Sequence, residues 1–109
     1  MNSWNGLCAV ARSEEAFRQE LIVFVLSVPL AFLVAAETWK RLALILAILL
    51  IMIVELLNTA IEKLGDRVSL EPDPRMALIK DLASAAVGLS LLFAAAIWLV
   101  ALIERLALI

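Results

Sequence analysis

The chain has 109 residues, 65% of them hydrophobic, a formal net charge of −2 and a mean hydropathy of +1.06. A water-soluble domain of this length cannot hide that much apolar surface, so an integral membrane protein is expected. The small net charge argues against nucleic-acid binding, and the lack of histidine excludes histidine acid–base chemistry and histidine metal ligation. The single cysteine, Cys8, rules out an intrachain disulfide framework and reads as a small packing residue. Any catalytic acid, base or metal ligand must come mainly from Asp and Glu. No internal repeat is visible. No cleavable leader is expected, because Asn2, Ser3, Trp4 and Asn5 stand where a basic start would precede an apolar core.

Trp4, Leu7, Cys8 and Ala11 recur at helical spacing, while Arg12, Glu15 and Gln19 fall on another face. This predicts an amphipathic surface helix over about residues 4–19, with Trp4 at headgroup level. Ser13 is a candidate cap for a new turn, with Glu14 and Glu15 near its positive end. A first span is expected over about 21–36, kinked at Pro29. A second is expected over about 39–64, entered through the turn at Glu37 and anchored by Trp39. Residues 65–75, with Pro72 and Pro74, read as the one real loop. A third span follows over about 82–103, opened by Lys80 and Asp81 and marked at its far end by Trp98, Glu104 and Arg105. In it Ser84 and Gly88 are four apart and form a small-xxx-small seam, with ordinary packing as its plainest use.

The stretch at residues 54–67 organises the rest. It reads Val-Glu-Leu-Leu-Asn-Thr-Ala-Ile-Glu-Lys-Leu-Gly-Asp-Arg and follows an apolar run from residue 42. Glu55, Asn58, Glu62 and Asp66 are spaced three, four and four residues apart, so a helix carries them on one face. From Trp39 to Val54 a helix covers roughly 25 Å at about 1.5 Å per residue. Glu55 is therefore expected near a headgroup boundary, with the stripe continuing into water. A solvated helix end is the bland reading; polar residues leaving a membrane-length helix are more often inward-facing and functional.

Arg12, Arg18, Lys63, Arg67, Arg75 and Lys80 fall on one side of a three-span topology, and Lys40, Arg41 and Arg105 on the other. The positive-inside rule puts the first group, and the N-terminus, in the cytoplasm. Every candidate functional residue shares that side: Glu14, Arg18, Glu20, Glu55, Asn58, Glu62, Asp66, Lys80, Asp81 and Ser84. Carboxylates from Glu14 and Glu62 are hard oxygen ligands suited to magnesium with nucleotide phosphates. Lys80 suits phosphate as a point charge. Glu55, at headgroup depth, is placed to accept a proton from a lipid hydroxyl. Phosphoryl transfer needs mainly positioning and charge neutralisation, which these groups supply. No Walker loop and no protein-kinase signature is present.

Three segments carry a resemblance: Glu-Glu-Ala-Phe-Arg-Gln-Glu at 14–20, the 54–67 stretch, and Lys-Asp-Leu-Ala-Ser-Ala-Ala-Val at 80–87. In order and spacing they resemble the small membrane-integral prokaryotic diacylglycerol kinases, and the likeness runs over nearly the whole chain. Asn2 and Ala77 depart from residues found in relatives. The resemblance implies an all-α homotrimeric helical bundle, each subunit with a surface helix and three spans, and active sites shared between neighbours. It implies transfer of the ATP γ-phosphate, as MgATP, to the hydroxyl of diacylglycerol at the cytoplasmic face of the inner membrane. By position, Glu55 matches the general base, and Glu14 and Glu62 the metal-binding carboxylates. Glu14, Glu62, Asp66, Glu71, Lys80 and Asp81 fall to the nucleotide. Arg18, Glu20, Glu55, Asn58 and Ser84 fall to the lipid substrate.

The rival within the fold is an undecaprenol kinase, since a shared fold does not fix the substrate. The segment Phe17-Arg18-Gln19-Glu20 resembles the diacylglycerol branch more closely. A small transporter would set its acid near mid-bilayer, open to each side in turn, whereas Glu55 is counted to one boundary. A non-catalytic assembly subunit leaves the convergence of acids with Lys80 unexplained.

Overall fold

A computed structural model describes residues 2–68 and 71–106. The chain is helical in four pieces: α1 (Ser3–Ser13), α2 (Glu15–Val34), α3 (Thr38–Val68) and α4 (Pro74–Arg105). The last three are long and apolar enough to cross a membrane.

Asn2 starts α1 by accepting from the Asn5 amide at 2.9 Å, as an N-cap should. The expected 4–19 helix is in fact broken at Glu14, whose extended backbone (φ −113°, ψ 111°) separates α1 from α2. Ser13 does not cap α2. Its hydroxyl donates back to the Ala9 carbonyl at 2.9 Å, a local bond that serves the helix it ends. Gln19 and Glu20 thus belong to the first span. Pro29 lies inside α2 without ending it.

The second span runs longer than expected, to Val68, and the third starts earlier, at Pro74. Asp73 explains the early start: its carboxylate accepts from the Arg75 amide at 2.9 Å, and Pro74 occupies the first turn, where its missing N–H costs nothing. The expected 65–75 loop shrinks to the residues between α3 and α4, of which Ser69 and Leu70 lie outside the described residues.

Helix α3 is the central element. In its most apolar stretch 44% of residues are buried, against 17% for α2 and 11% for α4. It packs on both neighbours, which barely touch each other. Ala47, Ile48 and Ile51 meet Ala94 of α4, with Phe24 and Trp98 against them. Nearer the far end, Leu44 meets Ala31 and Ala35. Trp98, read as an interface marker, also joins two helices. Its indole N–H donates to the Leu44 carbonyl at 3.0 Å and ties α4 to α3. The Ser84–Gly88 seam is not used inside the chain. Both residues are exposed, a methyl on Gly88 would meet nothing within 4 Å, and α4 packs through Ala83, Ser90 and Ala94 instead.

Candidate active site

The stripe is built as the spacing requires: α3 stays helical from Glu55 past Asp66. What the helix alone cannot do is bring other acids to it. That work falls to the α1–α2 junction. Val10 and Phe17 bury against Met52 of α3, three residues before Glu55. The Glu14 amide donates to the Val10 carbonyl at 2.9 Å. Arg18 Nη1 donates to the carbonyls of Ala11 (3.1 Å) and Arg12 (2.8 Å). These are the carbonyls a helix end leaves unpaired, so Arg18 closes α1. Through Nη1, Arg18, expected at the lipid substrate, also holds the junction.

With the junction pinned, Glu55 stands within electrostatic reach of both Glu62 and Glu14, and Glu20 within reach of Glu55. Carboxylates of α2, of α3 and of the α1–α2 break thus act on one another. Like charges gathered at a membrane-facing helix are costly unless cations or ligands offset them. The protein supplies part of that offset. Lys63 Nζ lies 3.4 Å from Glu14 Oε1, and Lys80 of α4 reaches Asp66 Oδ1 at 2.6 Å. Asn58 Nδ2 donates to Glu62 Oε1 at 3.4 Å.

The remainder is unsatisfied. Glu20 Oε1 and Asn58 Oδ1 are buried with no hydrogen-bond partner, which natural structures rarely tolerate without a ligand or water to fill the role. Glu55 makes no hydrogen bond or ion pair among the described residues. An orphaned acceptor beside Glu55 suits a hydroxyl donor. An orphaned amide oxygen beside Glu62 suits a hard cation.

Among the described residues no group of three or more Asp, Glu, Cys or His side chains closes a metal cage. Magnesium keeps waters, takes one or two carboxylates and completes its shell with phosphate oxygens. Glu14 and Glu62 could provide the carboxylates.

Asp81 and Ser84 lie on α4 beyond Lys80 and are exposed. Among the described residues no hydrogen bond or ion pair ties them to the stripe. Glu71 is exposed in the bend before α4. Sequence reasoning used Lys63 only as a topology marker and missed its pairing with Glu14. The signal was its place on the α3 face shared with Leu56, Thr59 and Ala60, which with α1 lines a groove of ≈ 710 Å³.

The sequence profile of the family described as "Prokaryotic diacylglycerol kinase" matches residues 1–102. The diacylglycerol kinase of Escherichia coli is 39% identical over 100 residues, covering 92% of this chain and 82% of the relative. That of Pseudomonas aeruginosa is 43% identical over 93 residues, covering 85% of this chain and 76% of the relative. That of Haemophilus influenzae is 32% identical over 96 residues. A family match over nearly the whole chain and relatives at 39% and 43% identity agree, and the chain belongs to the prokaryotic diacylglycerol kinase family.

Proposed function

We propose that the protein phosphorylates diacylglycerol with ATP, giving phosphatidic acid and ADP at the cytoplasmic face of the inner membrane. The observation that carries this reading is the pair of orphaned acceptors, Glu20 Oε1 and Asn58 Oδ1, on either side of Glu55 in a cluster of acids. One end of the cluster wants a hydroxyl and the other a cation. A lipid alcohol and a magnesium-bound triphosphate meet both needs.

In this reading the diacylglycerol hydroxyl docks at headgroup depth by donating to Glu20 and then turns its single proton to Glu55. Glu55 takes its proton as the oxygen bonds to the γ-phosphorus. The bond from that phosphorus to the β,γ-bridging oxygen breaks, and ADP leaves with the electron pair. Glu14 and Glu62 would hold Mg²⁺, which when bound would neutralise phosphate charge. Lys80, braced by Asp66, meets phosphate as a point charge, with Asp81 and Glu71 nearer the nucleotide. Ser84 flanks the lipid, and Asn58, between Glu55 and Glu62 on α3, turns its amide oxygen to the magnesium side.

Active sites lie between subunits of a homotrimer in this proposal. The outward Ser84–Gly88 seam supports it, because small residues let helices from separate chains approach closely. The excess of Arg and Lys on the α1 side supports the cytoplasmic orientation.

The test is purified full-length protein given labelled ATP with diacylglycerol and, in parallel, undecaprenol. Thin-layer separation should show label in phosphatidic acid. Label only in undecaprenyl phosphate, or in no lipid, would overturn the substrate assignment.

A further inference from the structure

Helix α3 carries a buried glycine, Gly65, near its water-side end. Glycine is a poor choice inside a helix, since it gains nothing from side-chain packing and loses the most backbone freedom. A close approach explains it. A Cβ built on Gly65 would stand 2.8 Å from Met76 Sδ and 3.0 Å from Lys80 Cε. The other two glycines, Gly6 and Gly88, have nothing within 4 Å of such a Cβ. The next residue, Asp66, receives the Lys80 ammonium at 2.6 Å. The stem of Lys80 therefore crosses α3 over the bare backbone of Gly65, hemmed in by Met76.

We propose that Gly65 is a positioning residue for the nucleotide phosphates: it keeps open the track along which Lys80 crosses α3, and so fixes where the ammonium stands. The inference rests on the reading of Lys80 as the phosphate-binding cation. Both atoms in the way of an added methyl are the far ends of flexible side chains, not backbone. A methyl at this site displaces Lys80 and Met76 and leaves the helices in place. The lipid side of the site is remote, since Glu55 lies ten residues back along α3, about 15 Å at 1.5 Å per residue.

The experiment compares parent, Gly65→Ala, Lys80→Met and the double variant as full chains in lipid. It records KM for MgATP, KM for diacylglycerol, equilibrium MgATP binding and the thermal midpoint. Gly65→Ala should raise the MgATP KM about fivefold and weaken MgATP binding in step, with the diacylglycerol KM unchanged and the midpoint not lowered. On the Lys80→Met background the same substitution should add nothing, because its target is gone. An equal loss on both backgrounds would mean a general packing role and overturn the proposal. So would an unchanged MgATP KM, a matching rise in the diacylglycerol KM, or failure to fold. Lys80→Met alone with parental MgATP affinity would instead remove the underlying reading of Lys80, a result that needs no Gly65 variant.

Discussion

The two ends of the bundle carry the same kinds of charged residue and treat them oppositely. At the far end each cation is matched to an acceptor of the fold. Lys40 pairs with Glu104 and, at 3.4 Å, with Glu37. Arg41 Nε donates to the Ala35 carbonyl at 2.8 Å, and its guanidinium sits 4.4 Å from the centre of the Phe32 ring. Arg105 Nε donates to the Leu33 carbonyl at 3.2 Å. These bonds close the α2–α3 turn and the end of α4. At the other end acids exceed their partners: Glu14 and Asp66 have lysines, Glu62 has an amide, and Glu55 and the buried oxygen of Glu20 have none. Charge alone therefore does not mark a site in this protein. Unmet hydrogen-bonding capacity does, because a buried group left without a partner persists only where something else is to meet it.

The sharpest way to break the contrast is at its centre. Glu55→Gln keeps the shape of the side chain and removes its basicity. Turnover should fall by about 10²–10⁴-fold, the usual contribution of a positioned base, with MgATP binding retained. Steady-state kinetics beside equilibrium nucleotide binding would check this. Near-parental turnover would leave Glu55 as one more polar residue at a helix end. Glu62→Gln should act differently, raising the Mg²⁺ concentration for half-maximal activity by about tenfold or more. A magnesium titration at saturating lipid decides it, and an unchanged midpoint would count against Glu62 as a ligand.

The contrast was only half legible in the sequence. The α3 stripe could be read directly, because Glu55, Asn58, Glu62 and Asp66 interrupt an apolar helix at a fixed period. The cluster around it could not. It depends on the break at Glu14, and the amphipathic pattern runs through that position without a glycine or proline to announce it. The break is made by tertiary contacts, Val10 and Phe17 on Met52 and Arg18 on the carbonyls of α1. For the same reason the junction-holding bonds of Arg18 and the pairing of Lys63 with Glu14 could not be read from the sequence. The α3–α4 loop was overdrawn because Pro72 and Pro74 suggested disruption, whereas Asp73 with Pro74 makes a helix start. The partner of the Ser84–Gly88 seam could not be read either, because small residues at four-residue spacing show that a close contact is possible, not which neighbour fills it.

Trp98 offers the smallest and most discriminating test. Its indole N–H bond to the Leu44 carbonyl joins α3 to α4 in the far half of the bundle, where the comparison assigns only structural roles. Trp98→Phe keeps an aromatic ring and deletes the donor. Hydrogen bonds between membrane helices contribute about 0.6 kcal/mol on average and up to about 1.7 kcal/mol, so the thermal midpoint should drop slightly. The KM values for MgATP and diacylglycerol should both stay at their parental values, since no hydrogen bond or ion pair among the described residues joins Trp98 to the acidic cluster and only packing through Phe24 lies between them. A changed KM with an unchanged midpoint would show that the far half tunes the site through α3. The division between a satisfied scaffold and an unsatisfied site would then no longer hold.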